Sequence, residues 1–261
     1  MTPSRAQAKR ATAPAGRILA IGSGKGGVGK TWFSITLAHA LARAEQRALL
    51  FDADLGLANV DIQLGLLPKR DLGDVVNQRI TLGDAAMRFE AGHFDIVPGR
   101  SGSLGMATLG PDRRADLVRQ IRGLTARYQW IILDLSAGID DAVSSLAATA
   151  TTCLVLCTDE PTSLTDAYAF IKLMRRRQAA TAIQIVVNQA SSREAGQRTF
   201  ETLRRSCETF LNFAPELLGV VRSDPRVADA IRHQTSLLTR HPASNAAADA
   251  ESIALRLLSQ P

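Results

Sequence analysis

Short apolar runs recur along the chain, and most are followed by a longer stretch with apolar positions at helical spacing. Ile18-Leu19-Ala20-Ile21, Leu49-Leu50-Phe51, Ile131-Ile132-Leu133, Leu154-Val155-Leu156 and Ile185-Val186-Val187 read as strands buried on both faces. The pattern predicts strands at about 17–22, 47–52, 93–97, 129–135, 152–157, 182–188 and 217–221. It predicts helices at about 31–45, 111–127, 140–149, 162–178, 192–211, 225–233 and 244–258. Residues 56–92 are less regular, with short helical pieces after Leu72 and Leu82. Alternating strands and helices imply an α/β fold with a mostly parallel, twisted sheet covered on both faces. Residues 1–16 mix Pro3, Pro14, Ala, Ser and basic residues and read as a flexible basic tail; residues 17–261 read as one domain.

Composition narrows the possibilities. An apolar fraction of 46% over 261 residues supports one large core. The pI near 9.7 suggests nucleic acid. Yet Arg5, Lys9, Arg10 and Arg17 carry four of the six net positive charges, so the body itself does not demand a polyanion. Cys153 and Cys157 flank one apolar strand and share a face by alternation, as buried small hydrophobes. With Cys207 they form no C-x-x-C pair, which leaves an iron–sulfur carrier or zinc ribbon unsupported and suits a reducing compartment. No apolar run approaches the roughly 20 residues of a spanning helix.

The chemistry gathers at strand ends. Gly24-Lys25-Gly26-Gly27-Val28-Gly29-Lys30-Thr31 follows the first strand and opens the first helix, the context of a phosphate-binding loop. Glycines let successive N–H groups turn inward on phosphates, and the helix N-terminus adds its dipole. A glycine turn that binds nothing is the competing reading, opposed by the strand before the loop and the helix after it. Lys30 is placed to reach the β- and γ-phosphates and Thr31 to ligate Mg²⁺. Lys25 needs an anionic partner of its own; it is either a surface lysine or a group that reaches a nucleotide held by another subunit. Asp134 ends an apolar strand and suits a metal-proximal carboxylate. Asp52 and Asp54 end another: Asp54 is the choice for orienting the attacking water and Asp52 for supporting the metal, against the alternative that they cap the next turn. Asn188 ends a later strand, where it can pair with an adenine edge or cap a turn. The guanine-gripping [N/T]-K-x-D element is absent from that strand end, which favours ATP over GTP.

Lys25-Gly26-Gly27-Val28-Gly29-Lys30-Thr31 resembles the deviant Walker A of the MinD/ParA class of P-loop ATPases. In that family the extra lysine crosses the interface of an ATP-sandwich dimer, so the resemblance gives Lys25 a catalytic role beside Lys30 and Asp54. It places Gly24, Lys25, Gly26, Gly27, Val28, Gly29, Lys30, Thr31, Trp32, Asn188 and Val221 around the nucleotide, and Thr31, Asp52 and Asp134 around Mg²⁺. Trp32 is an unusual occupant of its slot, expected to fill a gap between helix and sheet. Asp52 to Asp61 looks like the switch I element of MinD-type ATPases. Pro98 to Gly102, Glu160 to Tyr168 and Ile171-Lys172 are similar to the flagellar-number regulators called FlhG, FleN or YlxH.

That branch implies an ATP-dependent homodimer with a low basal ATPase rate. It acts with a flagellar signal-recognition-type GTPase or a flagellar regulator, and is cytoplasmic or peripheral at the inner membrane or cell pole. Ser4 to Arg10 keeps only Ala-Gln-Ala of the family's D-Q-A-x-x-L-R element for GTPase activation. Ile253 and Leu257 are expected to pack on the core rather than form a membrane anchor, so membrane binding is expected to be weak or none. A ParA-like DNA-segregation ATPase is the competing class, supported by Arg113, Arg114, Arg119, Arg122 and Arg127 on one helix and by Arg175-Arg176-Arg177. A solvated basic face explains these equally well. A cobyrinate-type amidoligase would need a substrate site for which no residues stand out.

Overall fold

The computed structural model describes residues 16–54, 58–99, 110–138 and 141–260. Eight strands are present: β1 (Arg17–Gly22), β2 (Ala48–Asp52), β3 (Met87–Phe89), β4 (Phe94–Val97), β5 (Trp130–Asp134), β6 (Thr152–Cys157), β7 (Ala182–Ala190) and β8 (Glu216–Arg222). They form one sheet in the order β3-β4-β2-β5-β1-β6-β7-β8. Every pairing is parallel except β3 with β4. All seven expected strands are found. The eighth, β3, is three residues long at the sheet edge, too short to leave a period in the sequence.

The helices are α1 (Lys30–Arg43), α2 (Val60–Leu64), α3 (Leu72–Val76), α4 (Leu82–Ala85), α5 (Pro111–Gly123), α6 (Asp141–Ala147), α7 (Pro161–Arg177), α8 (Arg193–Leu211), α9 (Pro225–Arg232), α10 (Leu237–Arg240) and α11 (Asn245–Ser259). The helix expected at 111–127 stops at Gly123, and Leu124–Ala126 tighten into a 3₁₀ turn. Arg127 therefore lies beyond the helix assigned to it. Residues 1–15 of the expected tail and Arg100 to Gly102 fall outside the described residues.

Strand alternation divides the core in two. Ile18, Ala20, Leu49, Phe51, Ile131, Leu133, Val155 and Ile185 face α5 to α8. Leu19, Ile21, Leu50, Ile132, Leu154 and Val186 face α1 and α9 to α11. Cys153 and Cys157 share the first face, and burial pushes both thiols up to about 12, so they are inert apolar groups. Phe33, Leu37 and Leu41 of α1 are fully buried, because α11 packs across the helix that already covers the sheet. Ile253 and Leu257 of α11 belong to this core, each 1% exposed, as their spacing predicts. No helix among the described residues is long and apolar enough to cross a membrane.

His39 of α1 is buried, with Nδ1 2.8 Å from the Ser236 hydroxyl. Burial, with the charges of Arg43 and His93, pushes its pKa down to about 4. The unfolded chain therefore takes up a proton near pH 6.5 that the native state refuses until about pH 4. Stability at pH 7 is expected to fall by about 2 kcal/mol at pH 5 through this group. Urea unfolding at the two pH values checks it: His39→Gln should remove that share of the loss, and an equal loss in the variant would assign it elsewhere.

Candidate functional site

The sheet order places β1 between β5 and β6: the chain leaves β1 toward β2 on one side, and the later crossover from β5 passes β1 to reach β6 on the other. A crevice forms there at the carboxyl ends of the strands. It is a cavity of about 570 Å³ whose walls include Gly26, Gly27, Gly29, Lys30 and Thr31 of the loop. Trp32, Asp54, Asp134 and Asn188 also face it.

The loop has the geometry its glycines allow. Gly29 sits at φ +89°, and a Cβ there would lie 2.4 Å from Trp32 Nε1 and 2.5 Å from Asn188 Nδ2. Gly29 is also the N-cap of α1, and no side chain caps that turn. The first N–H groups of α1 are left for an anion. Asn188 Nδ2 donates to the Val28 carbonyl at 2.7 Å, tying the end of β7 to the loop, while Asn188 Oδ1 is buried without a partner among the described residues. Such an oxygen costs free energy until a donor reaches it.

Lys30 lies inside the loop with Nζ donating to Ser23 Oγ at 2.9 Å. Burial lowers its pKa, opposed by the charges of Asp134 and Asp54. Asp52 and Asp134 are direct register partners on β2 and β5, so two carboxyls end adjacent strands side by side. Both are buried, and desolvation raises both pKa values; for Asp52 the neighbouring Asp134 charge adds to the rise. Hydrogen bonds from Thr31 and Ser34 partly offset this at Asp134; the Ser34 bond is 3.0 Å. Asp52 accepts from Asp54 N at 3.2 Å and from Asn59 N and Val60 N at 3.1 Å each. It thus caps α2, a job that spacing alone left as an alternative. Asp54 faces the cavity instead.

Lys25 points out of the cavity. Its ammonium pairs with Glu160 and donates to Thr162 Oγ1 at 2.9 Å. The anionic partner that the sequence demanded is therefore in its own chain in this state. This contact also accounts for the Glu160 to Tyr168 stretch. Ser163 Oγ accepts from Thr158 N at 3.0 Å, turning β6 into α7. Gly24 lies so close to α7 that a Cβ would stand 2.1 Å from the Asp166 carbonyl oxygen. The motif thus packs the base of α7 against the loop.

The expected residues do not all reach the cavity. Val221 is fully buried in the core against α11, and the Val28 side chain is likewise in the core. Trp32 is 9% exposed, edge-on to Phe33, and fills the expected gap while presenting an edge to the cavity. The Gly138 N–H donates to the Ser23 carbonyl at 3.1 Å. Sequence reasoning missed the far wall: Arg222, Ser223, Asp224, Val227 and Ile231, where β8 turns into α9, with Gln63 of α2. Their position after the carboxyl end of a strand was the available signal.

A model of the CobQ/CobB/MinD/ParA nucleotide binding domain matches residues 19–237. The antiactivator FleN of Pseudomonas aeruginosa is 39% identical over 245 residues, covering 94% of this chain and 87% of that protein. The flagellum site-determining protein YlxH of Helicobacter pylori is 28% identical, over 72% of this chain and 63% of that one. In fold, the chain superposes on the septum site-determining protein MinD of Pyrococcus horikoshii, solved with Mg-ADP. The TM-score is 0.78 at 24% identity, over 93% of this chain and 96% of that one.

Proposed function

The chain belongs to the CobQ/CobB/MinD/ParA nucleotide-binding family, and from that premise we propose that it is a Mg²⁺-dependent ATPase switch that dimerises with ATP and sets the number or placement of flagella. The flagellar assignment is carried by the FleN likeness, which runs through almost the whole chain. The chemistry is supported by the loop, the uncapped start of α1, the buried Lys30 and the paired carboxyls.

The residues fit the group they would hold. No three His, Cys, Asp or Glu side chains cluster among the described residues, so a soft or all-protein metal site is not built here. Mg²⁺ takes most of its ligands from phosphates and water and needs few from protein. Thr31 and Asp134 would supply that share, with Asp52 beside them, and the cation would neutralise charge on the transferred phosphoryl group. Lys30 would hold the terminal phosphates. The N–H groups of the loop would fix their position, and Asp54 would orient water in line. Asn188 would read adenine, and Arg222 to Asp224 would close the opposite wall.

Lys25 would leave Glu160 when a second copy presents its nucleotide, exchanging one anion for another. The exposed pair with Glu160 is worth little by itself, since such pairs typically contribute under about 1 kcal/mol. Lys25→Ala is therefore expected to keep monomeric ATP binding and lose the ATP-dependent dimer. Light scattering with ATP, on an Asp54→Ala background, measures this; a dimer of unchanged affinity would return Lys25 to a surface role.

Loss of the gene is expected to change flagellar number or position, restored by the wild-type gene and not by Lys30→Ala. Unaltered flagella in the deletion strain would refute the flagellar reading. The basic helix gives the DNA-segregation alternative little support. Arg113 donates to the Val76 carbonyl at 2.6 Å, and Arg119 pairs with Asp116 at 2.5 Å. The protein would work in the cytoplasm with a flagellar GTPase or regulator, with at most salt-sensitive binding to anionic lipid through its basic tail.

A further inference from the structure

A second cavity, of about 200 Å³, lies on the edge strand β8, outside the nucleotide crevice. One wall is the start of α8, with Arg193 and Gln197; the other is α11, with Ser252 and Arg256. Its floor is apolar, made by Leu217, Val220 and Ile253. Gly219 lets Ile253 close in: a Cβ there would stand 2.5 Å from Ile253 Cγ1.

The charges in this cavity do not balance. Asp249 is its sole acid. That carboxylate is 1% exposed and already saturated. Arg222 reaches it through Nε at 2.7 Å, Nη2 at 2.9 Å and its backbone N–H at 3.1 Å. Arg193 Nη2 reaches it at 2.7 Å. Burial opposes the Asp249 charge, but the arginine hydrogen bonds outweigh it and hold the carboxyl below the usual range. One carboxylate thus serves two guanidinium groups. Arg256 has no carboxylate partner among the described residues; its Nη1 donates to the Leu218 carbonyl at 2.8 Å, which fixes the guanidinium against the strand. Arg256 and Arg193 both line the cavity, from α11 and α8. A guanidinium presents five donors in a planar fork that suits carboxylate or phosphate.

We propose that this cavity binds an oxyanion, a phosphate or carboxylate group gripped between Arg256 and Arg193, with Ser252 and Gln197 as the polar rim. The apolar floor leaves room for the short chain that carries a carboxylate. Arg222 links the two cavities, since it lines the nucleotide crevice and also holds Asp249.

Inorganic phosphate titrated into the whole protein, followed at the backbone amides of Gly219, Val220 and Ser252, tests the site. Phosphate binding at the nucleotide loop reports separately at Gly27 and Lys30. Saturable shifts at the first three amides are expected in the wild type and at least tenfold weaker binding in Arg256→Gln. An otherwise unchanged amide spectrum would show that the variant is folded. An N-acetylated, C-amidated tripeptide Ala-Glu-Ala, in place of phosphate, separates the sources. Tighter binding than phosphate identifies a partner's carboxylate as the ligand; weaker binding identifies a free or esterified phosphate. Linear, unsaturable shifts with both probes would overturn the site, as would saturation that persists unchanged in Arg256→Gln.

Discussion

Lys30→Ala is expected to lose measurable ATP binding while remaining folded. Lys30 is the cation buried inside the loop, and its pKa is lowered because burial penalises its charge. That penalty is accepted in the ligand-free state, where its neighbours are the Ser23 hydroxyl and the Asp134 and Asp54 charges. Bound phosphates would repay it. A hydrogen bond to a charged group contributes about 1.5–3 kcal/mol, and Lys30 is placed for two phosphates. The expected loss is therefore about 3–6 kcal/mol, or roughly 150- to 25,000-fold in affinity. Removing a desolvated charge should cost the empty protein little, although Asp134 loses a favourable neighbour. Calorimetry decides the matter: near-native affinity in a folded variant would remove Lys30 from the site.

Asp54→Ala is expected to bind ATP and dimerise but to hydrolyse about 10²–10⁴-fold more slowly, the range for a positioned acid–base group. A carboxylate that orients water would act on the transition state rather than on ground-state binding, so the turnover rate should fall while nucleotide affinity stays near wild type. The two carboxylates are placed differently. Both oxygens of Asp52 accept backbone N–H groups and hold α2 in place. Asp54 faces the cavity with Lys30 and Asp134. Asp52→Ala should therefore loosen the switch segment and weaken nucleotide binding as well as turnover. Phosphate-release assays beside binding isotherms distinguish the two. Wild-type turnover in Asp54→Ala would mean another group orients the water.

The sequence by itself determined the layers, the strand ends and the loop. Those features are local: glycine permits the loop dihedrals, and apolar runs of strand length bounded by Asp or Asn mark where polar side chains leave the sheet. Cys153 with Cys157, and Ile253 with Leu257, went to their faces because alternation and helical period need only neighbours in the chain. Strand β3 and helix α10 were not legible, since contacts with other elements hold them, β3 against β4 and α10 against α1 and α9. The tertiary structure alone decided which polar groups meet. It set Asp52 beside Asp134 through the register of β2 and β5, and spent Asp52 on capping α2. It turned Lys25 to Glu160, 135 residues away in sequence, and brought the turn after β8 to the nucleotide crevice. It also withdrew Val221 into the core, where the alternation of β8 directs its side chain toward α11. Each of these depends on strand order and register, which are fixed by the packing of the whole sheet and not by any one segment.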